Sequence, residues 1–199
     1  MNGNIYSGQF FNGMKNGQGH WKKSGDEDAN QYSGKYRNDM KHGFGEFEWS
    51  TGSKYKGEYV NDKKKGYGEM YWVDGSIYRG YWDEGVQHGL GMMIFKDGMR
   101  KAGFFEDNIY KRPLFTMEEF HEYEATLKKK IPEAFRQEIK EYLGQLQPKD
   151  TYDDFIGQRL VEPEVEDVMA TNALQNMQDM ANAPWLQNGM SMEEYARGL

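Results

Sequence analysis

The sequence predicts a mainly β repeat protein: an elongated, twisted antiparallel sheet of stacked β-hairpins, followed by an α-helical acidic C-terminal extension. Three observations predict it. An aromatic-x-Gly-x-aromatic pattern returns at a spacing of 23 residues. Within each return, residue character alternates with the two-residue period of a strand. The composition of the 199-residue chain then breaks near Lys111-Arg112-Pro113. Residues 1–110 hold 20 of the 24 glycines and 21 of the 30 aromatic residues, with 15 basic and 15 acidic side chains. Residues 111–199 hold four glycines, nine aromatics, 10 basic and 17 acidic side chains, so the whole net charge of -7 lies there. The expected domains are residues 1–112, the repeats, and residues 113–199, a helical acidic extension ordered in part only on partners.

The repeat units start at Tyr6, Tyr32, Tyr55 and Tyr78, with a partial unit at Lys101 that ends at Pro113. The first gap is 26 residues, which fits a small insertion over residues 24–31. Inside each unit a glycine pair follows (Gly17/Gly19, Gly43/Gly45, Gly66/Gly68, Gly89/Gly91), then a closing glycine (Gly25, Gly52, Gly75, Gly98). One hairpin per unit satisfies this pattern. In the third unit Tyr55, Gly57 and Tyr59 share one strand face while Lys56 and Glu58 take the other. On the return strand Gly68, Met70 and Trp72 share a face. Glycine inside a strand is costly, so the expectation is that large rings from neighbouring strands lie over the bare backbone. Asn12-Gly13, Asp74-Gly75 and Asp97-Gly98 supply the positive φ angles of tight turns. Four and a half hairpins make about nine strands, a sheet on the order of 40 Å long.

The extension reads as helices. Thr116-Met117-Glu118-Glu119 is a capping box opening a helix to about Lys130. Pro132 suits the first turn of a second helix, through Gln145, with Phe135, Ile139, Leu143 and Leu146 as its apolar stripe. Residues 152–156 form a short ambiguous element, and Pro163 opens a third helical stretch with Val165, Val168, Met169, Met177 and Met180 on a loose apolar face. Residues 160–199 carry one basic and seven acidic side chains, five methionines and Trp185, too little to bury alone.

Tyr78-Arg79-Gly80-Tyr81-Trp82-Asp83-Glu84-Gly85-Val86-Gln87-His88-Gly89-Leu90-Gly91 resembles the MORN (membrane occupation and recognition nexus) repeat family, and the resemblance covers about residues 5–110. Asn16 and Lys65 depart from it where His42 and His88 follow it, and Lys101 replaces the leading Tyr of the fifth unit. The resemblance implies cytoskeletal and ciliary roles, including heads of axonemal radial spokes, as well as membrane-contact and membrane-linked signalling roles.

Much chemistry is excluded. The chain has no cysteine, hence no disulfide, thiolate zinc site or cysteine nucleophile. Its acidic balance argues against nucleic-acid binding. No apolar run reaches the length of a membrane span, and the N-terminus shows no secretory or myristoylation signal, so a cytoplasmic protein is expected. His42 and His88 sit in a repeated slot without a carboxylate pair or nucleophile, and read as turn residues. Asp26-x-Asp28-x-Asn30 starts like a calcium loop but lacks its later Gly and Glu, and no Gly-Lys-Ser/Thr completes a P-loop. No catalytic, cofactor or metal site is expected.

Two surfaces remain as candidates. The aromatic face, with Tyr6, Phe10, Tyr32, Tyr36, Tyr55, Tyr59, Tyr78 and Trp82, either packs on itself or forms a groove for a partner or for the chain's own tail helix. The tail offers Phe135, Ile139, Leu143, Leu146, Met177, Met180 and Trp185. The expected function is a non-enzymatic scaffold contacting other protein subunits of a large cytoskeletal assembly, with the cilium or flagellum axoneme and its radial spoke favoured. The alternative is a peripheral membrane module that binds anionic lipid through Lys63-Lys64-Lys65 and Lys128-Lys129-Lys130.

Overall fold

The computed structural model describes residues 4–23 and 29–146. Ten strands form one open antiparallel sheet in strict chain order. They are β1 (Ile5–Phe11), β2 (Met14–Lys22), β3 (Gln31–Arg37), β4 (Met40–Glu48), β5 (Lys54–Val60), β6 (Lys63–Tyr71), β7 (Ile77–Asp83), β8 (Val86–Ile94), β9 (Arg100–Glu106) and β10 (Ile109–Pro113). The partial fifth unit completes a hairpin of its own, so there is one strand more than the repeat count predicted. Helices α1 (Met117–Thr126) and α2 (Glu133–Gln145) follow.

Two-residue turns set the register. In each hairpin both loop residues take the left-handed backbone, as Asn12 and Gly13 do at φ 48° and 77°, and Asn61 and Asp62 at 49° and 67°. This is the turn whose twist matches paired strands, and Asn, Asp and Gly adopt it at least cost. Asp74-Gly75 and Asp97-Gly98 instead join one unit to the next, and there only the glycine has positive φ.

A row of glycines crosses the sheet in register: Gly8, Gly19, Gly34, Gly45, Gly57, Gly68, Gly80, Gly91 and Gly103, each opposite the next. The rings over this row come from the leading tyrosine of each full unit, which covers the glycine two residues later on its own strand and, as expected, the paired glycine of the neighbouring strand. A Cβ on Gly57 would stand 2.4 Å from Tyr55 Oη and 2.6 Å from Gly68 Cα. The ring lies flat on the glycine pair because nothing projects from it. Its hydroxyl then donates to the carbonyl three residues on: Tyr6 to Gln9 (3.0 Å), Tyr32 to Lys35 (3.1 Å), Tyr55 to Glu58 (3.2 Å) and Tyr78 to Tyr81 (3.0 Å). In the fifth unit Lys101 cannot play this part. Tyr110 of β10 lies over Gly103 instead and donates to the Ala102 carbonyl at 3.1 Å.

The Gly-x-Gly pair makes a bulge. Gly57 faces Gly68 but Tyr59 faces Lys64, so one residue of β5 spans three of β6, and the same shift recurs in the other full units. Successive hairpins are also clamped together. The Asp39 carboxylate accepts from the Lys15 backbone N–H at 2.8 Å, Asp62 from Lys41 at 2.8 Å, and the Asn108 amide from Gln87 at 2.8 Å. Each of these turn residues returns its own N–H to the carbonyl of the same residue, at 3.0 Å. At the fourth unit Gly85 can give only the backbone half, to Lys64 at 3.0 Å.

The helices start where the sequence placed them. Thr116 caps α1, with its hydroxyl accepting from the Glu119 N–H and the Glu119 carboxylate accepting from the Thr116 N–H, and Pro132 stands at the N-cap position of α2 without a side-chain cap bond. α1 ends at Thr126, short of the Lys130 expected. Both helices pack on the face of the sheet opposite the tyrosine rows, over Leu90, Met92 and Ala102, with Phe120, Ile131, Phe135, Ile139 and Tyr142 buried between. Neither α1 nor α2 lies in the aromatic groove that the sequence offered to a tail helix; α1 sets Tyr123 against Tyr81, Gly89 and Phe104 of β7 to β9. The reason lies in one strand slot that runs Gln18, Phe44, Tyr67, Leu90. Only its last two residues join the helix-covered cluster, Tyr67 partly buried against Phe135 and Leu90 fully buried. Ion pairs from Arg79 to Glu138 and from Lys129 to Glu58 edge the contact.

Candidate interaction surface

The sequence-nominated aromatic rows close on themselves. Tyr32, Tyr55 and Tyr78 are buried, as are Tyr36, Tyr59 and Trp82. Their rings form a ladder of edge-on contacts. Tyr36 sits between Tyr32 and Tyr6, each at 5.2 Å; Tyr59 between Tyr55 at 5.2 Å and Tyr32 at 5.4 Å. Trp82 sits between Tyr78 at 5.3 Å and Tyr55 at 5.2 Å. Edge-to-face geometry suits the ring quadrupoles and adds about 1 kcal/mol per pair beyond area burial. Burial pushes the hydroxyls of Tyr32, Tyr55 and Tyr78 well above the usual tyrosine range. A groove along these rings is therefore already filled by the chain itself. The row is open only at its start, where Tyr6 is half-buried and Phe10 is exposed.

The tail candidates divide. Phe135 and Ile139 are buried in the core under the helices, and Leu143 and Leu146 pack against it partly covered. These four are occupied by the chain's own sheet. Met177, Met180 and Trp185, the element at 152–156, the helical stretch after Pro163 and the Asp26-x-Asp28 segment lie outside the described residues.

The lysine runs are largely engaged. Lys63 pairs with Glu84 at 2.7 Å, and Lys65 with Asp83 at 2.8 Å and Glu84 at 3.2 Å. Hydrogen bonding to Asp83 and Glu84 raises the Lys65 ammonium; the bond to Lys65 holds the Asp83 carboxyl low, and bonds to Lys63 first and Lys65 second hold Glu84 low. Lys64 is buried, its ammonium 4.7 Å from the centre of the Trp82 ring and 5.1 Å from those of Trp49 and Tyr55. Burial, with Lys41 nearby, pushes it down to about 7, while the three ring faces act in the opposite sense. Sequence reading missed this cage. Its signal is Gly85, which stands where the equivalent turns of the second and third units carry Asp39 and Asp62.

The histidine slot of the repeat makes inter-unit contacts at three of its four positions, while His42 Nδ1 is buried with no hydrogen-bond partner among the described residues. Asn16 Nδ2 donates to Asn38 at 3.4 Å, Lys65 reaches Glu84, and His88 Nδ1 lies 3.6 Å from Asp107, each tying one unit to the turn of the next. Among the described residues no group of three or more His, Asp or Glu is placed to hold a metal ion, and no helix is long and apolar enough to cross a membrane.

Hairpins in strict order, a glycine row under tyrosine and a bulge at every Gly-x-Gly are what one short repeat builds when stacked. A family model for the MORN repeat matches residues 6–26, 32–54, 55–77 and 78–100. Residues 6–100 are a run of four MORN repeats. MORN repeats are non-catalytic and are found in scaffold proteins and in proteins that interact with lipid. The β9–β10 hairpin adds a fifth, divergent unit beyond the matched segments. A search among curated proteins gave no match.

Proposed function

We propose that this MORN-repeat chain is a non-enzymatic scaffold subunit that makes protein–protein contacts in a larger cytoskeletal assembly, within the cilium or flagellum axoneme and of the radial-spoke kind. One observation carries the scaffold reading. The aromatic face is filled by its own rings and the opposite face of β6 to β9 by helices, while exposed apolar side chains collect on β1. Such a molecule offers surface to other proteins. The choice of the axoneme rests on the resemblance of the repeats alone.

The lipid alternative draws less support, because Lys63, Lys65 and Lys129 are paired with carboxylates and Lys64 is buried. Fractionation of ciliated cells expressing the tagged full-length chain tests the proposal. The chain is expected to stay with detergent-extracted axonemes. Release into the detergent-soluble fraction, with salt-sensitive co-sedimentation on anionic vesicles, would overturn it in favour of the membrane.

A further inference from the structure

The two edges of the sheet are built differently. β10, at one edge, carries Lys111, Arg112 and Pro113, the residues that blunt an edge strand against pairing. β1, at the other, is Ile-Tyr-Ser-Gly-Gln-Phe-Phe: no charge, no proline, and among the described residues it pairs only with β2. Its Ile5 is 63% exposed, Phe10 60% and Phe11 64%. Elsewhere in the ladder each ring equivalent to Phe10 has a second aromatic neighbour, but among the described residues Phe10 has a ring contact with Tyr6 alone, at 5.1 Å.

The order of residues in β1 says what covers it. About Gly8 the strand reads the same in both directions by chemical type: Ser7 and Gln9 polar, Tyr6 and Phe10 aromatic, Ile5 and Phe11 apolar. Two copies of β1 laid antiparallel with Gly8 opposite Gly8 therefore match at every position. Each Phe10 gains the other copy's Tyr6 as its cross-strand neighbour on the tyrosine face. Each Ile5 gains the other copy's Phe11 on the opposite face. Opposed aromatic and apolar pairs of this kind are the unit of sheet stabilisation. The glycine row, stopped at β10 where Gly103 meets Pro113, continues through Gly8 into the second copy. An interface that is its own complement about a single point is isologous, and it closes at two chains.

We infer that β1 is the homodimer interface of this protein: two chains join their sheets edge to edge, antiparallel and centred on Gly8. The inference goes beyond the scaffold reading, since a monomeric chain would leave that reading standing. The blunted β10 edge keeps the joined sheet from growing further.

Sedimentation of the full-length chain over a concentration series tests it. A monomer–dimer equilibrium is expected, with no larger species. Ile5→Lys or Phe11→Glu alone, at exposed positions away from the ring core, should yield monomer with an unchanged circular dichroism spectrum. The double variant Ile5→Lys, Phe11→Glu should restore the dimer, because this register sets each introduced lysine opposite an introduced glutamate of the other copy. A chain that stays monomeric at its highest attainable concentration overturns the inference. So does a dimer indifferent to Phe11→Glu, or a double variant that stays monomeric.

Discussion

The two faces of this sheet solve the same problem in different ways. The tyrosine face closes by repetition. Tyr6, Tyr32, Tyr55 and Tyr78 each cover a glycine pair and pack against the ring of the next unit, so no second layer is needed. The opposite face has no such rule. It runs from polar to apolar along the sheet, and where Leu90, Met92 and Ala102 make it apolar, two helices with no repeat of their own must cover it. A single-layer sheet can thus bury one face with short-range rules written into every unit. Its other face remains free to vary, and there the chain spends non-repeated sequence.

Breaking each face separately sharpens this comparison. The largest expected loss is on the helix side: Phe135→Ala, which empties a fully buried position, should cost about 3–5 kcal/mol in denaturant unfolding and expose α1 and α2 to protease. On the tyrosine side, Gly57→Val or Gly80→Val should cost about 3 kcal/mol, since even a Cβ meets backbone at 2.6 Å or 2.5 Å. An unchanged melting temperature would refute the role given to the glycine row.

Lys64 gives a pH-dependent effect. Its amine is pushed down to about 7 in the fold, whereas the unfolded chain holds its proton to about 10.4. The folded state therefore binds fewer protons across that window, and the burial penalty is complete below about pH 7 and fades as pH rises toward 10. Lys64→Met should stabilise by about 2 kcal/mol at neutral pH, less near pH 10, with the rings offsetting part of the cost of burial. Equal gain at both pH values would show that burial of the charge is not the cause. The smallest effect is Tyr55→Phe. It removes the hydroxyl bond to the Glu58 carbonyl and leaves the ring, and should cost about 1 kcal/mol.

The period of Tyr and Gly made the hairpins and their order legible, because strand alternation and turn chemistry are local. The Thr116 capping box and the stripe on α2 were legible for the same reason. The landing place of the helices was not. Tyr67 and Leu90 occupy positions that alternation alone assigns to the outer face, and although they are more apolar than Gln18, so is Phe44, which stays exposed. The aromatic row was read as either packing on itself or forming a groove, and its burial depends on rings reaching across strands, which spacing does not report. The inter-unit clamp by Asp39, Asp62 and Asn108 also escaped notice, although its turn position repeats in every unit.

The central claim is that the tyrosine face is sealed by its own rings. Titration of tyrosine ring carbons by NMR in the folded chain tests it most directly. The account predicts that Tyr32, Tyr55 and Tyr78 keep their protons through about pH 11, a unit above the ordinary tyrosine value. If these three ionise near pH 10, at about the ordinary tyrosine value, while the fold persists, the face is open to water and the account is contradicted.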